Sequence, residues 1–362
     1  MRIQTALTRM VGIKHPVVQT GMGWVAGARL VSATANAGGL GILAAATMTI
    51  DELATAISKV KAATDRPFGV NIRADAADAG DRVDLMIREG VKVASFALAP
   101  KPELIARLKD AGSVVVPSIG AAKHAKKVAA WGADAVIVQG GEGGGHTGPV
   151  PTTLLLPSVL DALSGTDIPV IAAGGFFDGR GLAAALSYGA AGVAMGTRFL
   201  LTSDSTVPDA VKQRYLQAAL DGTVVSTRVD GMPHRVLRTG LVEKLESGSR
   251  ARGFTAAVLN AAKFKKMSGM TWSSMIRDGL AMRHGKELTW SQVLMAANTP
   301  MLLKAGLVDG NTGAGVLASG QVAGIIDDLP SCAELIDSIV AEAVEHLRQA
   351  SALIDVSRSP AG

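Results

Sequence analysis

The stretch Val138-Gln-Gly-Gly-Glu-Gly-Gly-Gly-His-Thr-Gly148 sets one imidazole in a run of glycines too dense to pack a core. His146 stands seven residues beyond Gln139, where an apolar run ends. An imidazole titrates near neutral pH and can pass a proton in either direction, so this residue is the candidate catalytic acid or base. The glycines let a flat ring approach closely. Two further runs, Ile171-Ala-Ala-Gly-Gly175 and Val193-Ala-Met-Gly-Thr197, each close an apolar segment on small residues. There the backbone N–H groups of Gly174, Gly175, Gly196 and Thr197 can come close to an anion, and a phosphate is the expected ligand.

Other motifs carry less. Gly21-Met-Gly-Trp-Val-Ala26 has the spacing of a dinucleotide fingerprint, yet the first acid after it is Asp51, too far on to hold a ribose. A Rossmann site is excluded on that ground. The six histidines (His15, His124, His146, His234, His284 and His346) show no paired ligand spacing, so no metal site is expected. Lys123, five residues beyond Ser118, either reaches toward a site from the start of a helix or is an ordinary exposed lysine. The lone Cys332 cannot form an internal disulfide and reads as a small residue of an amphipathic helix.

The elements that position these residues repeat. Apolar runs at Pro16 to Gln19, Gly41 to Ala44, Phe68 to Asn71, Val93 to Ala97, Val114 to Ser118, Ala135 to Gln139, Val170 to Ala173 and Gly192 to Gly196 alternate with stretches of helical periodicity, giving eight βα units. Strands apolar on both faces belong to a covered parallel sheet, and eight of them close naturally into a (β/α)8 TIM barrel. An open doubly wound sheet is the rival, but it needs a topological switch and usually fewer strands. Barrel chemistry gathers at the C-terminal ends of the strands, which here carry Gln19 to Gly23, Asn71, Ser118, Gln139 to His146, and the two glycine pairs. Residues 1–221 and 319–362 are expected to form the barrel domain, with 222–318 a mostly helical, basic, Met-rich lid. Ile336, Ile339, Val340, Ala343, Val344 and Leu347 mark one face of a closing helix.

At 362 residues, with 48% hydrophobic residues and a mean hydropathy of +0.30, the chain can bury one large core. Aromatics at 4% are too few for a nucleic-acid stacking surface. The N-terminus lacks the pattern of a secretory leader, and the uncharged stretch from Leu30 to Ile50 is broken by Asn36, Gly38 and Gly39. A cytoplasmic protein without a membrane anchor is expected, and a homo-oligomer stays open. Between Arg235 and Lys286 eleven Lys or Arg face three acids (Glu243, Glu246 and Asp278). That excess is either a solvated helical face or a docking surface for an anionic substrate.

The Gln-Gly-x-Glu-x-Gly-Gly-His-x-Gly pattern from Gln139 to Gly148, the Ile-Ala-Ala-Gly-Gly run, and Met-Gly-Thr-Arg-Phe from Met195 to Phe199 resemble the nitronate monooxygenase (2-nitropropane dioxygenase) family. The flavin-dependent enoyl-acyl-carrier-protein reductase belongs to the same group. The similarity spans residue 13 to about 240 and resumes near Ser319-Gly-Gln321. The resemblance implies that FMN is bound non-covalently in the barrel with His146 beside it. It further implies that Gly21, Met22, Gly23 and Asn71 lie against the ring system, Lys123 near its pyrimidine edge, and Gly174, Gly175, Gly196 and Thr197 on the phosphate; Ser118, Gln139, Gly145 and Gln321 complete the expected cofactor site. Many members carry Pro at Gly21, Ala at Gly143 and Arg or Ile at Thr147, so substrate choice does not transfer.

Within the family, the full-length pattern, including the stretch from Lys265 through Met270 to Ala297, is similar to an actinobacterial branch that acts on CoA thioesters in steroid C/D-ring (cholesterol) degradation. The resemblance then implies α,β-dehydrogenation of a ring-bearing CoA thioester, or its reverse, with NAD(P)H as electron partner. The alternative is nitronate oxidation with O2 on the same cofactor and histidine. A long basic segment is excessive for a small nitroalkane and suits the phosphates of CoA. A non-catalytic barrel that binds a phosphate ligand or a partner protein would leave the loop histidine without a purpose.

Overall fold

The computed structural model describes residues 2–247 and 290–354. From the N-terminus the order is α1 (Ala6–Val11), β1 (Val17–Gln19), α2 (Ala28–Asn36), β2 (Leu40–Ala44), α3 (Ile50–Ala63), β3 (Gly69–Arg73), α4 (Ala79–Arg88), β4 (Val93–Ala97), α5 (Pro102–Asp110) and β5 (Val114–Ile119). Then come α6 (Ala122–Ala130), β6 (Val136–Gln139), β7 (Gly145–His146), α7 (Thr152–Ala162), β8 (Val170–Ala173), α8 (Gly179–Tyr188), β9 (Gly192–Met195), α9 (Thr197–Leu200) and α10 (Asp209–Leu216). After the barrel follow β10 (Thr223–Ser226), β11 (His234–Leu237), α11 (Gly240–Ser247), α12 (Trp290–Leu307) and α13 (Cys332–Ala352).

Eight parallel strands, β1 to β6 with β8 and β9, close into a barrel, as β1 pairs with β2 on one side and β9 on the other. Each expected strand is present to within two residues at either end. Their β-branched and small side chains pack on both faces: Val18, Leu40, Ile42, Val116, Ile137, Ile171 and Ala194 fill one buried cluster, while Val17, Val138, Ala172 and Val193 join another with the helices. Leu7 and Val11 of α1 pack into the first cluster, beside the starts of the strands.

The stretch after α10, expected to be mostly helical, opens instead on two antiparallel strands. β10 and β11 form a hairpin, and β11 pairs onward with β7, so a small three-stranded sheet stands beside the barrel. Val229, Val236, Val242 and Val316 give this region a small core of its own, with Leu302 and Leu303 of α12 packed on it. Residues 248–289, which hold eight of the eleven cations counted between Arg235 and Lys286, lie outside the described residues.

The closing helix is α13. Its N-terminus is fixed by a capping box in which Ser331 and Glu334 bond one another's backbone N–H groups. Ile336, Ile339, Val340 and Ala343 are buried as expected, and Val344 and Leu347 half-buried. Cys332 sits at the start of this helix with no exposure. Gly179 lets α8 approach α13 closely: a Cβ there would stand 2.5 Å from Ile339 O, and its N–H donates to Glu342 at 2.7 Å. Among the described residues no helix is long and apolar enough to cross a membrane.

Candidate functional site

The strands run the same way round the barrel, so the residues past their C-terminal ends share one mouth. At β1 the loop Gly21 to Trp24 lies against β3: a Cβ on Gly21 would be 2.5 Å from Asn71 Cβ, leaving room only for glycine. Asn71 in turn donates to Ser95 Oγ at 3.1 Å. Trp24 has φ of 66°, uncommon for a bulky side chain, and its indole N–H donates to Pro300 O in α12 at 3.0 Å. A strained residue of the barrel mouth thus holds the helix that follows residues 248–289.

The two glycine pairs also meet this mouth. Gly174 and Gly175 have φ of 92° and 85°, a region that favours glycine, and a Cβ on Gly174 would be 3.0 Å from Gly140 O. A Cβ on Gly196 would fall 3.3 Å from Thr20 Oγ1 and 3.4 Å from Met22 Sδ, so the pair after β9 faces the loop after β1. Thr197 is buried and begins α9; its hydroxyl accepts from Gly320 N–H at 2.8 Å, and Gln321 N–H donates to Glu142 O at 2.9 Å. Met22, Gly196, Thr197, Gly320 and Gln321 are therefore neighbours, although 299 residues separate the first from the last.

The glycine-rich loop is built in layers. The Glu142 carboxylate accepts from Thr152 N at 3.0 Å and Thr152 Oγ1 at 2.8 Å, at the N-terminus of α7. Gly144 packs on Ser319 and Gly320, where a Cβ would be 2.5 Å from Gly320 N. Gly143 lies against Gln139, with a Cβ there 2.5 Å from Gln139 Nε2, and that amide donates to His146 O at 2.9 Å. Arg235 of β11 spans the loop from outside, giving two hydrogen bonds to Gly141 O at 2.9 and 3.2 Å and one to Thr223.

His146 emerges from this scaffold in β7, paired directly opposite His234 of β11. Its side chain is 63% exposed, and Nε2 lies 2.6 Å from Asp230 Oδ2, whose side chain is 4% exposed. The same oxygen is 3.1 Å from His234 Nδ1. Burial alone would push the Asp230 carboxyl up, but hydrogen bonds and positive charge from the two imidazoles outweigh it and hold the group well below the usual carboxylate range. Ligand nitrogens and a carboxylate oxygen so grouped can also hold a metal ion. The 2.6 Å contact, however, is a hydrogen bond, shorter than the roughly 3.3 Å between neighbouring ligands of a tetrahedral zinc with bonds of about 2.0 to 2.1 Å.

The comparison with known proteins decides the family. The sequence pattern described as nitronate monooxygenase matches residues 4–342. The chain belongs to the nitronate monooxygenase family. It is 85% identical over 355 residues, 98% of this chain and 100% of the relative, to a Mycobacterium tuberculosis (3aS,4S,5R,7aS)-5-hydroxy-7a-methyl-1-oxo-octahydro-1H-indene-4-carboxyl-CoA dehydrogenase. A Rhodococcus jostii dehydrogenase of the same description is 71% identical over 97% of this chain and 99% of its own length. Among solved structures, FabK from Thermotoga maritima superposes with a TM-score of 0.78 at 33% identity, covering 97% of this chain and all of that one. This nitronate monooxygenase family member is an oxidoreductase that uses a flavin.

The mouth suits the flavin that the family implies. Glycines stand where a Cβ would fill the approach at Gly21 and Gly196, and two left-handed glycines turn the backbone after β8. Of the sequence-derived residues, direct contacts join Gly21 with Asn71, Met22 with Gly196, and Gln139 with His146. Gly23 is half-buried, with Thr47 Cγ2 3.1 Å from where its Cβ would be. Ser118 is the next-to-last residue of β5 and half-buried, and Lys123 is exposed in the first turn of α6, where no described residue is bonded to it. Sequence reasoning missed Asp230 and His234. Their only signal was the four-residue spacing of an acid and a histidine, in a stretch expected to be helical.

Proposed function

We propose that this enzyme removes the α proton and a β hydride from a ring-bearing CoA thioester, making an α,β-unsaturated thioester, with His146 as the base and FMN as the flavin. The observation that carries this reading is the exposed His146 imidazole anchored on a buried carboxylate at the barrel mouth. Gly174, Gly175, Gly196 and Thr197 would hold the phosphate. Gly21, Met22, Gly23, Asn71, Ser118, Lys123, Gln139, Gly145 and Gln321 would complete the cofactor site. Bound FMN supplies the hydride acceptor.

The chain's own part is proton handling and placement. Asp230 accepts from Nε2 of His146, which leaves Nδ1, the nitrogen without a described partner, to take the α proton. The carboxylate then balances the imidazolium. Trp24 ties α12 to the mouth, which supports residues 222–318 as a substrate-binding lid. The names of the 85% and 71% identical relatives support a fused bicyclic carboxyl-CoA substrate of the kind met in steroid ring degradation, and oxidation as the direction. A nicotinamide cofactor is the electron partner in this reading. Of the described cations, Arg235 is engaged by Gly141 and Thr223, while Arg238 and Lys244 are exposed and available to CoA phosphates.

Anaerobic mixing with bicyclic CoA thioesters tests the proposal by the loss of flavin absorbance. Bleaching at a rate matching turnover is expected; no bleaching with any ring-bearing thioester would defeat it. Uptake of O2 dependent on a nitronate at low concentration would favour the alternative activity instead.

A further inference from the structure

We propose that Asp230 and His234 are positioning residues for His146: Asp230 fixes the His146 tautomer with its proton on Nε2, and His234, from the facing strand, fixes Asp230. The proposal rests on the reading of His146 as the base.

Three observations carry it. The first is that the Asp230 carboxylate is pinned at both oxygens. Oδ2 faces the two imidazoles at 2.6 and 3.1 Å, while Oδ1 accepts from Met232 N–H at 3.0 Å. A carboxylate so held cannot rotate to offer His146 a different geometry, and as an acceptor it selects the Nε2–H form of that ring.

The second is the register. His146 and His234 are directly opposed in the β7–β11 pairing, and their ring centroids lie 4.7 Å apart at a tilt of 49°. Side chains directly opposite on antiparallel strands stand on one face of the sheet. Asp230, in the turn between β10 and β11, reaches both rings from that face. Thr147 N–H to Pro233 O at 3.1 Å and the two Arg235 bonds to Gly141 O stop the loop from sliding along β11. The tie continues into α12, where Thr299 Oγ1 donates to Val229 O at 3.2 Å.

The third is an asymmetry between the two rings. The His146 side chain is 63% exposed and that of His234 3%. His234 Nε2 is buried with no partner among the described residues, and Nδ1 is the nitrogen whose proton Asp230 accepts. His146 is thus the ring open to a substrate, and His234 acts only through the carboxylate. Among the described residues the titratable groups that face Asp230 are these two imidazoles.

The test is nitrogen-15 NMR of histidine-labelled, flavin-loaded protein, read with the pH dependence of flavin bleaching by a bicyclic CoA thioester. Wild-type His146 should show the Nε2–H tautomer. Asp230→Asn and His234→Ala should give a tautomer mixture, slow bleaching by on the order of 10²-fold, and shift the acid limb of the rate profile to lower pH, because an anion that favours the imidazolium is lost or loosened. His234→Asn keeps an N–H donor and should restore both signals, and it covers the case in which the alanine variant does not fold. An Nδ1–H tautomer in the wild-type protein, or an unchanged tautomer and pH profile in Asp230→Asn, overturns the proposal. Wild-type bleaching by His146→Ala overturns the reading of His146 as well; slow bleaching there with unaltered Asp230→Asn overturns the positioning role alone.

Discussion

Gly320 donates its backbone N–H to the hydroxyl of Thr197 at 2.8 Å, joining the segment that returns after α12 to the second residue beyond the last barrel strand. A threonine hydroxyl that accepts this bond keeps its own proton free to donate. Thr197 also begins α9, so its N–H has no intrahelical partner. Two donors on one residue are then available to the proposed phosphate. Gly144 packs against the same Gly320, which puts the loop of His146 one residue's width from Thr197.

Replacing Thr197 by Val should therefore weaken flavin binding by about 10- to 150-fold, the scale of one hydrogen bond to a charged group at roughly 1.5–3 kcal/mol. It also leaves Gly320 N–H without its acceptor. Equilibrium dialysis of the apoprotein against FMN measures the change. Binding within twofold of wild type would remove Thr197 from the anion site.

For His146→Ala the expectation is a protein that keeps its flavin but turns over more slowly by about 10² to 10⁴, the usual range for general acid–base catalysis. Flavin retention follows because the ring is mostly exposed and the loop is held by Gln139, Arg235 and Gly320 rather than by the imidazole. Stopped-flow reduction under anaerobic conditions gives the rate. Turnover near wild type would take His146 out of the mechanism.

Much of this was legible before any coordinates. The barrel strands stand out because a strand covered on both faces must be apolar throughout, and runs such as Val170 to Ala173 have no other reading between helical stretches. His146 was legible because its glycine neighbours make no sense as core. The strands β10 and β11 were not, since they carry Ser226, His234 and Arg235 among their four-residue lengths, and their partner β7 is two residues long. Pairing that joins residues 146 and 234 leaves no local period to find. Asp230 had the same difficulty: one acid in a turn carries meaning only once the two imidazoles are seen beside it.

Gly174→Ala should lose flavin as well as stability. Its φ of 92° makes any Cβ unfavourable by about 1–2 kcal/mol, and the added carbon would lie 3.0 Å from Gly140 O and 3.1 Å from Thr152 Oγ1. Gly12→Ala is the matched control, because Gly12 has φ of 83° with nothing within 4 Å of the new atom. Both variants should melt lower in differential scanning calorimetry, but only Gly174→Ala should come through gel filtration depleted of flavin. Equal flavin content in the two would mean that the turn after β8 does not shape the cofactor site.

Cys332 gives a prediction at the other end of the pH scale. Burial pushes its thiol up to about 12, the hydroxyls of Thr34 and Thr202 offsetting only part of that. The unfolded chain ionises the same thiol near pH 8.5, so between those values the unfolded state gives up the proton first. A folded pKa raised in this way contributes stability in full below the unfolded value and loses it as pH rises toward the folded one. Chemical denaturation at pH 8 and at pH 10 should show wild type losing stability between the two, and Cys332→Ala losing less. At pH 8 the native thiol, with no exposure, should also resist an aromatic disulfide reagent that labels it at once in denaturant. Rapid labelling of the folded enzyme would mean that α13 opens from α2 and α8 far more often than a helix with Ile336, Ile339 and Ala343 buried against them should allow.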